Sequence, residues 1–288
     1  MAEKREGGGL LRLLAEYDRR LIYFLIFVVV LAPLMRPFIL PIAVSPDTQD
    51  YYNIIDKLGP DDVVMVVFDT EFSGYMELQS GIVASIRVMI DRGAKIAIAV
   101  SHPEATGIPE LVLNQLRDVM AEKQYVYGED YVNLGYIFPN EAAVAASAQD
   151  FHSAVRQDWQ GRPLTGTFLD EVTDWEDWTL ISDYTTGIQS GSLINHYGLR
   201  GTPMIVNCIG VMVATQKPYV SSGIYKALLQ SMRGGAELEY LTGAPGAGLT
   251  AMNSFTLGHY VLIIFIVLGN IGYFGYTRYK KREVQVGG

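Results

Sequence analysis

The chain has 288 residues, 49% of them hydrophobic, and a formal charge of −9. Residues 47–256 hold 26 Asp plus Glu against 12 Lys plus Arg, a difference of −14, so nucleic acid is excluded as an expected partner because it requires basic patches to neutralise phosphate. Cys208 is the single cysteine, which rules out an intramolecular disulfide; its place in the apolar run 204–209 predicts a buried small hydrophobe.

Residues 1–20 form a basic tail with Lys4, Arg5, Arg12, Arg19 and Arg20. The apolar run 21–44 approaches the roughly 20 residues that cross a bilayer as a helix, and predicts a transmembrane helix followed by an interfacial segment. Arg36 lies inside it, flanked by Pro33, Pro37 and Pro41. These prolines are expected to end the regular helix near Ala32, with Arg36 snorkelling to headgroups.

Residues 45–256 read as one α/β domain. The run 62–68 is continuously apolar, the mark of a strand buried on both faces. Tyr75, Leu78, Ile82, Ile86 and Met89 then recur at helical spacing, and Gly93 ends that helix. Residues 95–100 give a second strand. Pro109 suits a first helical turn, and Val112, Leu116 and Val119 continue the apolar face. A third strand is expected over 131–137 and a helix through Val144, Ala148, Phe151 and Val155. Two more strands are expected at 178–182 and 203–208, with a helix over 189–198 between them. Repeated strand–helix units predict a doubly wound, mostly parallel sheet of Rossmann-like type.

In such sheets ligands bind beyond the carboxyl ends of the strands, where strand order reverses. That rule selects Asp69 and Glu71 after the first strand, Ser101 and His102 after the second, Asp183 and Thr185 after the fourth, and Asn207 in the fifth. Carboxylates, hydroxyls and an imidazole converging there would hold a small polar ligand or a divalent cation. The same residue types also cap helices, and that reading stays open.

Residues 243–250, Gly-Ala-Pro-Gly-Ala-Gly-Leu-Thr, fit phosphate-loop spacing except that Leu249 replaces the lysine. The stretch therefore reads as a flexible connector. No G-x-S-x-G surrounds Ser190 or Ser192, and no G-x-G-x-x-G follows the first strand. Asp170, Glu171, Asp174, Glu176 and Asp177 crowd 169–178 without EF-hand spacing, which predicts a solvated acidic loop.

The run 257–276 predicts a second transmembrane helix, followed by a basic tail at 277–288. Gly258, Gly269 and Gly272 share one side of it, and Asn270 is its lone strong polar group. Small residues and an amide suit helix packing, either within the chain or between copies. Cations outside both runs predict that both termini are cytoplasmic and the central domain is extracytoplasmic.

Three segments, 128–136, 232–240 and 269–274, resemble a group of uncharacterised archaeal and bacterial membrane proteins. The resemblance runs along the whole chain and implies a Rossmann-like domain between N- and C-terminal transmembrane helices, with no assigned activity. It draws attention to the Gly234-Gly235 pair, expected to break the preceding helix, and to Glu237 and Glu239, expected to face a ligand or a neighbouring subunit. The functional expectation is a membrane-anchored binding or scaffold module that self-associates. The alternative is an extracytoplasmic hydrolytic enzyme, metal-assisted or not, with its site at the strand ends.

Overall fold

A computed structural model describes residues 18–36, 38, 40–187 and 190–286, apart from the side chains of 279–286. The chain divides into two compact units, one of residues 41–249 and one of the terminal segments up to 40 and from 250.

The first unit is built on six strands: β1 (Val63–Asp69), β2 (Lys95–Val100), β3 (Tyr131–Tyr136), β4 (Leu180–Thr185), β5 (Met204–Cys208) and β6 (Tyr225–Gln230). Their order is β3-β2-β1-β4-β5-β6 and every neighbouring pair is parallel. Two three-stranded halves thus meet at β1 and β4, the Rossmann-like order with its reversal between those strands. The five expected strands are all present, the fourth beginning slightly later than its apolar run suggests. The sixth was not expected. Lys226 is exposed within β6, and its Ala and Leu residues favour helix, so pairing with β5 decides its conformation.

Helices α1 (Arg19–Met35) to α5 comprise also α2 (Pro46–Ile55), α3 (Phe72–Arg92), α4 (Ile108–Gln115) and α5 (Arg117–Lys123). They are followed by α6 (Glu141–Gln149), α7 (Phe151–Ala154), α8 (Ser190–His196), α9 (Val213–Ser221), α10 (Ser231–Leu241) and α11 (Ala247–Val286). The sheet separates two apolar cores. Val64, Val66 and Phe68 of β1 face one, which includes Tyr75, Leu78, Ile82, Ile86 and Met89 of α3. Met65 and Val67 face the other, with Phe151, Trp178 and Tyr197. Burial on both faces explains the uninterrupted apolar run of β1.

Local chemistry sets the boundaries. Gly93 ends α3 in a left-handed conformation, φ 76°. The helix expected across 144–155 is broken at Asp150, whose side chain accepts from the Ser153 N–H and starts a new turn. The Gly234-Gly235 pair does not break a helix; it lies inside α10 and is buried. A Cβ on Gly235 would stand 2.5 Å from the backbone nitrogen of Gly81 in α3, so glycine permits the two helices to approach.

The expectation of two membrane-crossing helices fails. Among the described residues one helix is long and apolar enough to cross a bilayer, Ala247–Arg278 within α11, with mean hydropathy 1.9. In the 21–44 run the helix ends at Met35 after 17 residues, and Arg36 leaves it in an extended conformation. At 1.5 Å per residue such a helix reaches about 26 Å, short of a hydrocarbon core of about 30 Å. The topology with both termini in the cytoplasm and the domain outside falls with the second span. The two-span architecture implied by the family resemblance falls as well.

Within α11, two of the positions read as a packing face are engaged inside the chain. A Cβ on Gly258 would lie 3.2 Å from Val30 Cγ2 of α1. Asn270 Nδ2 donates to the Ile266 carbonyl at 2.8 Å, so its own helix satisfies the amide.

Candidate functional site

β1 and β4 diverge beyond Asp69 and Thr185, which pair directly in the parallel register. Both side chains are buried. Thr185 Oγ1 donates to Asp69 Oδ2 at 2.6 Å. From the end of β2, Ser101 Oγ donates to Asp69 Oδ1 at 2.8 Å. Ser190, opening α8, places its Oγ 2.7 Å from Thr185 Oγ1 and 3.3 Å from Asp69 Oδ2. The Gly187 N–H donates to Thr185 Oγ1 and ties the turn after β4 to the same cluster. Two strands, β2 and β4, or the residues that follow them therefore supply three hydroxyl groups to one buried carboxylate of β1.

His102 sits at the mouth of this cluster with its side chain 16% exposed. Its Nε2 lies 3.3 Å from Asp69 Oδ1, within ion-pairing range but off the line of a hydrogen bond. Glu71, Thr186 and Gly187 are half-buried around the same strand ends.

Asp183 lies two residues before Thr185 and is fully buried. The Tyr225 hydroxyl donates to its Oδ2 at 2.7 Å, while Oδ1 has no hydrogen-bond partner. Burial, and then the charge of Asp69, push its pKa up to about 8, against the opposing hydroxyls of Tyr225 and Ser190. Burial beside Asp69 thus favours the protonated form of Asp183.

Asp69, Ser101, His102 and Thr185 come together, with Asp183 just below them in the sheet. Two residues stand apart. Glu71 occupies the position before α3 without a side-chain cap bond. Asn207 pairs with Tyr184, not with Asp183, so it points to the opposite face, towards Gly81 of α3. Its amide oxygen and nitrogen are both buried without a hydrogen-bond partner. Ser190 and Tyr225 join the cluster without having been selected from the sequence. Tyr225 belongs to β6, the strand that periodicity did not reveal, whereas Ser190 follows the Thr185-Thr186-Gly187 turn closely enough to have been found.

Other stretches resolve into structural roles. Glu239 accepts the N–H groups of Gly246, Gly248 and Leu249 at 2.7–3.0 Å, so a carboxylate of the chain itself fills the glycine-rich turn where phosphate-loop spacing suggested an anion. Glu237 accepts from the backbone and hydroxyl of Ser45, from Thr48 Oγ1 and from Arg233 Nε. Both residues were expected to face a ligand or a partner; both instead fasten neighbouring segments. In the acidic loop, Asp174 and Asp177 form reciprocal cap bonds and Asp170 accepts the Gly166 N–H. Cys208 is buried and its thiol is pushed up to about 12 by burial.

Among the described residues no group of three or more His, Cys, Asp and Glu side chains is placed to hold a metal ion. No protein-family profile, curated protein or solved structure matches the chain.

Proposed function

We propose that the chain is a membrane-anchored binding module that holds a small polar ligand over the ends of β1 and β4. The supporting observation is the convergence of Ser101, Thr185, Ser190 and His102 on the buried Asp69 carboxylate where strand order reverses. Asp69 holds the cluster together from within, and His102, its side chain 16% exposed, lies at the edge of the cluster. A ligand at the mouth would meet the imidazole and Thr186. The anchoring part of the reading rests on the apolar segment Ala247–Arg278.

The experiment is a thermal-shift screen of the full-length chain in detergent against amines, polyols and carboxylates. A compound that raises the melting temperature of the wild type and not of His102→Ala is the expected result. Stabilisation that is equal in both proteins, or absent for every class, would overturn the reading.

Hydrolysis is a second reading, supported by the Asp69–His102 contact, which resembles the orienting half of a catalytic dyad. It needs a nucleophile bonded to the imidazole. The hydroxyls of Ser101, Thr185 and Ser190 are instead directed to Asp69 or to one another, which favours binding.

A further inference from the structure

A cleft of about 560 Å³ lies at the other edge of the domain, beside the start of β3, and plays no part in the strand-end cluster. Its size falls in the range of small-molecule sites. Tyr125, Tyr127, Tyr131, Trp159, Arg117 and Arg162 line it.

Trp159 is fixed in place yet left open. Its backbone N–H donates to the Asn133 carbonyl at 3.1 Å, fastening residues 156–164 along the edge of β3. Gly135 beneath it has φ +71°, and a Cβ there would stand 2.9 Å from Trp159 Cβ, so the glycine admits this approach. The tryptophan nonetheless remains 46% exposed at the rim of the cleft. Apolar surface left open to solvent on an anchored backbone suits a ligand that stacks on it.

The cations are also pre-arranged. Arg162 lies 4.1 Å from the centroid of the Tyr127 ring, and its Nε donates to Asp158 at 2.7 Å. Asp158 is buried and accepts in addition from Tyr127 and from the backbone of Gln160 and Arg162. One edge of the guanidinium is thereby held in the wall, while half of the side chain stays exposed. Arg117 bonds Asn114 on the exposed side of the same cleft. Glu110, the carboxylate in the lining, accepts from Asn133 Nδ2. Two of the 12 cations of the strongly acidic stretch 47–256 thus flank a set of aromatic rings.

We propose that this cleft binds a flat aromatic carboxylate, its ring stacked on Trp159 and its carboxylate held by Arg162 and Arg117. Guanidinium groups match carboxylates in plane and charge, and the aromatic face selects planarity. This site is independent of the one at the strand ends.

The test is a titration of the full-length chain in detergent, followed by tryptophan fluorescence, with three probes. Benzoate is flat and anionic, cyclohexanecarboxylate is anionic but not flat, and benzamide is flat but neutral. Saturable binding of benzoate, about tenfold tighter than either comparison compound, is expected, along with a loss of about tenfold in Arg162→Gln and in Arg117→Gln. Arg117 is exposed and bonded only locally, so its variant keeps the test valid if Arg162→Gln folds poorly. His102→Ala should bind benzoate like the wild type, which separates this result from the fate of the strand-end site. Equal responses to the three probes, an unsaturable signal, or undiminished binding in folded Arg117→Gln would overturn the proposal.

Discussion

Thr185 Oγ1 meets Asp69 Oδ2 at 2.6 Å across the β1–β4 pair, closing the point where the sheet reverses its order with a hydrogen bond between two buried side chains. The carboxylate is held by hydroxyl groups from residues that lie far apart in the chain. Replacing it with an amide, Asp69→Asn, substitutes a donor for one acceptor and sets it against Thr185 and Ser190. A loss of about 1–3 kcal/mol is expected, the range for a buried polar group left without its partner. Urea unfolding followed by circular dichroism measures it, and an unchanged midpoint would show that the cluster contributes nothing to stability.

Asp183 gives the fold a pH dependence with a definite sign. Its folded pKa of about 8 lies above the ordinary aspartate value of about 3.9. The native state therefore keeps a proton that the unfolded chain releases across that window. The stabilisation is complete below the lower value and is lost as pH rises through the upper one. Its slope is about 1.4 kcal/mol per pH unit. Asp183→Asn should remove this contribution, so the stability difference between wild type and variant should shift steadily with rising pH and flatten above about pH 8. Denaturation midpoints collected across that range provide the check; parallel curves for the two proteins would contradict the assignment.

The α3–α10 contact makes a sharper steric prediction. Gly235→Ala places a methyl group 2.5 Å from the backbone nitrogen of Gly81, where no rotamer change relieves it. Overpacking of this kind costs about 1–3 kcal/mol. Gly243→Ala is a useful contrast: nothing lies within 4 Å of its Cβ, and its φ of +65° isolates the backbone penalty from packing. Thermal melts of the two variants compare the steric and backbone contributions.

Glu239 should control the segment leading into α11. Its carboxylate accepts three backbone N–H groups from residues 246–249, and Glu239→Gln leaves a single oxygen to serve them. Limited proteolysis is expected to cut the variant within 243–249 faster than the wild type. Equal cleavage rates would show that the turn holds itself without this carboxylate.

The fold was legible where burial left a periodic trace. β1 announces itself as a continuous apolar run because both its faces are covered, and α3 through five apolar positions at helical spacing. The strand ends were legible for the same reason: once the β–α alternation is read, topology selects Asp69, Ser101, His102 and Thr185. What escaped was determined by distant partners. β6 becomes a strand through β5, and Gly234-Gly235 reads as a helix breaker until α3 is packed against it. Asn207 was assigned to the cluster because its position near a strand end is visible, while the face it points to depends on the register with Tyr184. The apolar run at 21–44 has the composition of a span, but its helix stops at Met35, just past Pro33.

The most direct measurement is native mass spectrometry of the full-length protein extracted in detergent. The expected mass is that of the polypeptide plus a small polar molecule, with that adduct lost in His102→Ala. A bare polypeptide mass in the wild type, or an adduct retained undiminished in His102→Ala, would contradict it.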